Sequence, residues 1–256
     1  MRRPCDNRAP TGTLRDMDNP IRLHWLDPRD PQQPFPPAHL AMREPNGLLA
    51  IGGDLSTPRL LNAYRQGIFP WYNPDEPILW WCPDPRAVIE LDGLHVSRSL
   101  ARRIRRRDVE IHFDTDFDAV LAACAGPRAG TRGTWLGTDM RRAYRKLFDQ
   151  GHAHCIEIRC QDRLIGGLYG IAIGRMFYGE SMFSAEADGS KLALYWLCRH
   201  LRAWGFEMLD CQVHSPHLGR MGAVELPRQA FLERARPAAH DAGFPAPWRF
   251  DPTVAA

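Results

Sequence analysis

Two carboxylates and an amide interrupt apolar runs at spacings that could line a binding cleft. Glu180 lies in Gly179-Glu180-Ser181-Met182-Phe183-Ser184, and Asp210 and Gln212 lie about 30 residues further on, in Leu209-Asp210-Cys211-Gln212-Val213. In extended chain, residues two apart point to the same side. Asp210 and Gln212 are therefore expected to line one surface, and Glu180 and Met182 likewise. A binding cleft could be built this way. The same pattern also suits two buried strands whose polar residues are simply hydrogen-bonded, and spacing leaves both readings open.

The elements that must position these residues are legible from periodicity. Residues 1–20 show none and are expected to form a disordered tail; Met17-Asp18-Asn19-Pro20 reads like a second natural start. From Gln32 to Pro85 the chain is dense in Pro, Gly and aromatics, which predicts turns, short strands and one helix over Thr57–Gln66 behind Ser56. A composition change at Pro83-Asp84-Pro85 places a domain boundary near residue 85, giving a small amino-terminal domain (21–85) and a larger one (86–256). The larger one should begin with a strand at Ala87–Leu91. Helices follow at 97–107, Asp116–Ala125 and Thr138–Gln150, then strands at Cys155–Arg159, Arg163–Ile173 and Arg175–Ser181. A long helix at Ser190–Ala203, a buried strand at Met208–Val213 and a late helix at Arg228–Ala235 complete it. Helices, a strand meander, a helix and a strand, in that order, suggest an α/β (α+β) domain like that of the acetyltransferases.

Composition narrows the classes. With 44% apolar and 25% charged residues the chain reads as an ordinary globular protein. No run of about 18 apolar residues suggests a membrane span, and the first twenty residues lack the apolar core of a secretory signal. Seven scattered cysteines, an odd number without a CxxC pair, point to reduced thiols in the cytoplasm. His152-Ala153-His154-Cys155 has no second cluster to complete a tetrahedral metal site, so no metal is expected. Net charge is only +3, but residues 97–107 hold six arginines. At helical spacing Arg98, Arg102, Arg105 and Arg106 share one face, opposite Leu100 and Ile104, with Ser97 as cap. A cationic ridge without interleaved acids suits a polyphosphate partner.

Several long blocks, in order, carry a resemblance. Glu44-Pro45-Asn46-Gly47-Leu48-Leu49-Ala50-Ile51-Gly52-Gly53-Asp54-Leu55-Ser56 is followed by Ala63-Tyr64-Arg65-Gln66-Gly67-Ile68-Phe69-Pro70-Trp71 and Trp80-Trp81-Cys82-Pro83-Asp84-Pro85-Arg86. Shorter anchors are Gly133-Thr134-Trp135, Gly151-His152-Ala153-His154, Gly166-Gly167-Leu168-Tyr169-Gly170 and Leu226-Pro227-Arg228. From about Phe35 to Leu232, including the two blocks around Glu180 and Asp210, the chain resembles the leucyl/phenylalanyl-tRNA–protein transferase family. The resemblance implies a small amino-terminal domain joined to a GNAT-like domain, the acyl-CoA N-acyltransferase type of fold. It implies transfer of Leu or Phe, less readily Met, from aminoacyl-tRNA to proteins beginning with Arg or Lys, which marks them for N-end-rule degradation.

The same resemblance assigns residues. Asp210, Gln212 and Glu180 match the positions beside the reacting groups, with Asp210 expected to hold the attacking amine. Phe177, Met182, Leu194 and Leu209 match an apolar aminoacyl pocket, and Leu168 and Leu197 occupy related positions where relatives carry Met or Phe. Tyr64, Trp71, Trp135 and Tyr144 match aromatics near the tRNA 3′ adenosine or the cleft wall, and Arg98, Arg102, Arg105 and Arg106 match a basic cluster for the acceptor stem. No cofactor is expected, and a monomer is. Coenzyme A is disfavoured because Phe183-Ser184-Ala185-Glu186-Ala187-Asp188-Gly189-Ser190 places two acids where a pyrophosphate would sit before the long helix. An acetyl-CoA enzyme and a non-catalytic RNA-binding protein are the competing classes.

Overall fold

The computed structural model describes residues 23–126 and 136–255. The expectation of a disordered tail over 1–20, the alternative start at Met17 and the assignment of Trp135 all fall outside them. Among the described residues, those before Pro85, with Ala125, Gly126 and 136–143, form one compact unit, and the remainder form a second. The first unit breaks off after Asp84 and takes up 136–143 as well.

The first unit carries a four-stranded sheet of β1 (His24–Leu26), β2 (Leu48–Gly52), β3 (Phe69–Pro70) and β4 (Leu79–Trp81), in the order β1-β2-β4-β3. Only β1 and β2 run parallel. Helix α1 (Thr57–Arg65) starts with Pro in its first turn, where a missing N–H costs nothing. From α1 the fully buried Arg59 donates to the carbonyls of Gln33, Asp27 and Asp30 at 3.0, 3.0 and 2.6 Å. Strands this short cannot hold a loop by ladder bonds alone, so one guanidinium does it.

The second unit is built on a seven-stranded sheet. Its strands are β5 (Arg86–Ile89), β6 (Glu110–Phe113), β7 (Ala153–Cys160), β8 (Arg163–Ile173), β9 (Met176–Ser184), β10 (Met208–Gln212) and β11 (Val224–Leu226). The order is β11-β5-β10-β9-β8-β7-β6. All neighbours are antiparallel except β9 and β10, which the crossover helix α5 (Gly189–Ala203) joins. The remaining helices are α2 (Arg98–Arg106), α3 (Phe117–Ala125), α4 (Thr138–Asp149), α6 (Pro216–Arg220) and α7 (Arg228–His240). Strands β6 and β11 and helix α6 were not expected. The two strands are short and lie at the sheet edges, where polar Glu110, His112 and Glu225 break the apolar pattern.

Alternation along β8 sorts the layers. Gly166 and Leu168 face α5: the backbone of Gly166 lies against Gly189 so closely that a Cβ on either would collide. Gly167 and Tyr169 face the other way, toward Val120 and Phe117 of α3. On the α5 side the core gathers Ile89, Leu168, Phe177, Leu194, Leu197 and Leu209. A carboxy-terminal strap closes that side: Trp248 stacks on His154 with centroids 3.7 Å apart, and its N–H donates to Asp114 at 2.9 Å. Asp114 also takes His154 Nδ1 at 2.7 Å. His154 therefore serves this buried joint, and among the described residues no three His, Cys, Asp or Glu side chains gather as metal ligands. Nor is any described helix long and apolar enough to cross a membrane.

Candidate active site

Two irregularities in neighbouring strands create the site. Along β8 and β9, Gly170 pairs with Gly179 and Tyr169 with Ser181, which leaves Glu180 as an extra residue in a bulge. Along β10 and β5, Asp210 pairs with Val88 and Gln212 with Ala87, leaving Cys211 extra. Strands β9 and β10 pair only from Met176–Met208 to Tyr178–Asp210, so a notch opens where the bulges begin. Across it Gln212 Nε2 donates to Glu180 Oε1 at 3.3 Å, and Tyr144 of α4 donates its hydroxyl to Glu180 Oε2 at 2.6 Å.

Gln212 sits in a strained turn. Its φ is +59°, in the left-handed region, and Val213 N–H donates to Cys211 C=O at 2.7 Å, so Gln212 is the centre of a γ-turn. Its own N–H donates to Asp210 Oδ1 at 2.9 Å. Arg86, the first residue of β5, grips the same carboxylate through Nε at 2.8 Å and Nη2 at 2.6 Å. Both side chains of that pair are fully buried. Burial, with the negative charge of Asp210 next, pushes the Tyr178 hydroxyl far above its usual range, and burial does the same to the Cys211 thiol. Neither is available as a nucleophile or base near neutral pH.

The expected site residues fall in different surroundings. The Asp210 carboxylate is buried against Arg86 and the Gln212 backbone N–H. Glu180 and Met182 do not share a surface, since the bulge sends Glu180 to Tyr144 while Met182 packs against the α5 core. Tyr64 and Tyr144 are both fully buried, and the Tyr144 ring lies 5.4 Å from Tyr169, edge to face. Elsewhere, Trp71 is half-buried and tilted against Trp81 at 5.9 Å. Phe177, Leu168, Leu194, Leu197 and Leu209 lie together in the core beneath α5.

On α2 the Ser97 hydroxyl caps the helix by accepting Leu100 N–H at 3.2 Å, and Leu100 anchors it in the core. Arg98, Arg102, Arg105 and Arg106 are all exposed, whereas Arg103 folds back onto Asp108. Sequence reasoning passed over Arg86 except as part of a motif. Its signal was an arginine opening the apolar run Ala87-Val88-Ile89, because a charge on a buried strand needs a partner.

A carboxylate and an amide held across a notch in a mixed α/β sheet form a polar site that can hydrogen-bond an amine. Comparison with known proteins makes the class specific. Residues 88–236 match the model of the leucyl/phenylalanyl-tRNA protein transferase family, and residues 53–84 match the model of that family's N-terminal domain. The leucyl/phenylalanyl-tRNA--protein transferase of Alkalilimnicola ehrlichii is 54% identical over 236 residues, 90% of each chain. That of Thiobacillus denitrificans is 55% identical over 217 residues, covering 85% of this chain and 95% of its own. The chain belongs to this family of aminoacyltransferases. Among solved structures, L-PGS from Bacillus licheniformis aligns with a TM-score of 0.36 at 13% identity, over 52% of this chain and 46% of that one.

Proposed function

We propose that this aminoacyltransferase moves Leu or Phe, and less readily Met, from aminoacyl-tRNA to the α-amine of proteins beginning with Arg or Lys. It acts as a cytoplasmic monomer and marks its products for N-end-rule degradation. The observation that carries the reading is the Glu180–Gln212 pair, held from one side by Tyr144 and from the other by the Asp210–Arg86 pair.

The aminoacyl ester is already activated, so alignment and charge placement suffice and no covalent intermediate is needed. Gln212 spends one side-chain N–H on Glu180, and its amide oxygen serves as the acceptor for the attacking amine. An α-amine has a pKa of roughly 8, so a useful fraction is neutral at pH 7. Glu180 draws the amine in and carries its proton as the C–N bond forms. The ester C–O bond breaks, and the proton passes to the departing 3′ oxygen of the tRNA. Asp210 contributes by holding Gln212.

The apolar set around Phe177, Leu168, Leu194, Leu197, Leu209 and Met182 is the source of the side-chain preference. Such a surface separates side chains one methylene apart by only about 1–3 kcal/mol, which suits shared acceptance of Leu, Phe and Met. The exposed arginines of α2 take acceptor-stem phosphates without reading sequence, and Trp71 and Trp135 remain the aromatics assigned to the terminal nucleotide. The GNAT-like notch between parallel β9 and β10 invites an acetyl-CoA alternative. Against it, the first two N–H groups of α5 are occupied, Gly189 by Glu186 C=O at 3.2 Å and Ser190 by Ser184 Oγ at 2.8 Å, which disfavours a pyrophosphate there.

The test is transfer of radiolabelled leucine from leucyl-tRNA to a peptide starting with Arg, beside peptides starting with Ala and with free leucine as donor. Label on the Arg peptide alone, from charged tRNA alone, is expected. Bound tRNA without any transfer would leave an RNA-binding protein instead.

A further inference from the structure

We infer that Arg86 is a positioning residue of the transfer reaction, acting through Asp210 to fix the γ-turn that holds the Gln212 amide against Glu180. The inference rests on the reading that Gln212 faces the attacking amine.

The geometry runs in one chain of contacts. Arg86 and Asp210 have no exposed side-chain surface and meet through two nearly parallel bonds of 2.8 and 2.6 Å. The guanidinium is further confined by the Phe231 ring of α7, 4.6 Å from its centroid. The carboxylate oxygen that receives Arg86 Nε also receives the backbone N–H of Gln212 at 2.9 Å. That residue is the one non-glycine at positive φ inside the notch, with φ +59° and the 2.7 Å Val213-to-Cys211 bond closing the turn.

A γ-turn of this hand is strained, and strain persists only where the surroundings over-determine the conformation. An ionised carboxylate is a far better acceptor for the turn's N–H than a neutral one, and away from water a carboxylate needs a cation beside it. Arginine supplies a permanent charge and a planar fork that fixes the carboxylate's rotation; lysine supplies the charge without the fork. A pair that merely joined β5 to β10 would have no need to send its third bond to the backbone of the site residue. Register adds to this, since Ala87, next to Arg86, is the ladder partner of Gln212. The charge and the turn therefore ride on the same two strands.

The test is a double-mutant cycle in full-length protein with Arg86→Lys and Gln212→Ala, measuring kcat, KM for leucyl-tRNA and thermal unfolding. Arg86→Lys is expected to lower kcat by about tenfold or more while KM stays within about twofold. In the Gln212→Ala background the same change should cost less than about twofold, because both act through one group. Losses that multiply would overturn the inference while leaving Gln212 in place as a site residue. Wild-type turnover of Gln212→Ala would overturn both readings. Should Arg86→Lys fail to fold, Asp210→Asn keeps the shape, loses the charge and enters the same cycle with the same two decisive outcomes.

Discussion

Glu180 accepts from Gln212 at 3.3 Å and from Tyr144 at 2.6 Å, and the two bonds can be separated by substitution. Glu180→Gln should lower kcat by about 100-fold if the carboxylate carries the amine's proton, in the range for lost acid–base catalysis. Tyr144→Phe, which removes only the hydroxyl bond, should cost about tenfold, the worth of one hydrogen bond to a charged group. Steady-state kinetics at saturating leucyl-tRNA would check both, and equal losses would deny Glu180 a role beyond being held. The three site positions were visible in the sequence as polar residues in apolar runs. Their true neighbours were not: Arg86 lies 124 positions before Asp210, and Tyr144 lies 36 before Glu180. Alternation also misled at Glu180, because one inserted residue in a strand reverses the side that follows and leaves no mark in composition.

Among the elements, α2 was the most fully legible, cap, anchor and basic face together, because all three follow from helical spacing within eleven residues. Its exposed arginines should neutralise phosphates one for one. Replacing Arg102 and Arg106 by Ala should therefore reduce the slope of log affinity for tRNA against log salt by about 1 per residue, without changing preference among tRNA bodies. Filter binding across a salt series reads this, and an unchanged slope would remove α2 from the tRNA surface. Strand β7 shows an element doing a task that its sequence conceals. Buried Glu157 accepts Thr115 N–H at 2.9 Å and Asp116 N–H at 2.7 Å, just before α3, and pairs with Arg159 at 3.0 Å. It ties down the residues that lead into α3, where Asp116 in turn caps the helix by accepting Ala119 N–H at 3.1 Å. Glu157→Ala should cost about 3 kcal/mol in urea unfolding, because two N–H groups lose their acceptor and Arg159 loses one of its two carboxylates. A negatively charged residue inside Ala153–Cys160 reads in sequence as a fault in the strand. Only the fold shows what it faces.

At the scale of the molecule, the strap after α7 closes the α5 side of the second unit. His200 Nε2 accepts Asp251 N–H at 3.0 Å while Nδ1 bonds Trp196 C=O at 2.8 Å, so the ring is neutral. Burial holds its pKa below the ordinary 6.5, despite the nearby Asp251. The unfolded chain thus binds a proton first as pH falls, and stability present above about 6.5 is lost on acidification until the folded ring also titrates. His217, lowered first by burial and then by Arg220 and Lys191, pulls in the same direction. Unfolding free energy should decline from pH 7 toward 5. His200→Gln, which keeps an acceptor but cannot titrate, should flatten that decline; an unchanged slope would place the proton uptake elsewhere. The strap was unreadable beforehand because its apolar residues are widely spaced among Pro and Gly, with no period.

That strap also sets an order of assembly. Trp248 reaches back 134 positions to Asp114, and Phe250 packs on Phe113 with centroids 6.3 Å apart. Contacts so distant along the chain form late and slowly. On the ribosome, the β6 end of the sheet must wait with part of its apolar surface uncovered until residue 250 has cleared the exit tunnel. During synthesis, that stretch of the nascent chain is where chaperones would find a hold.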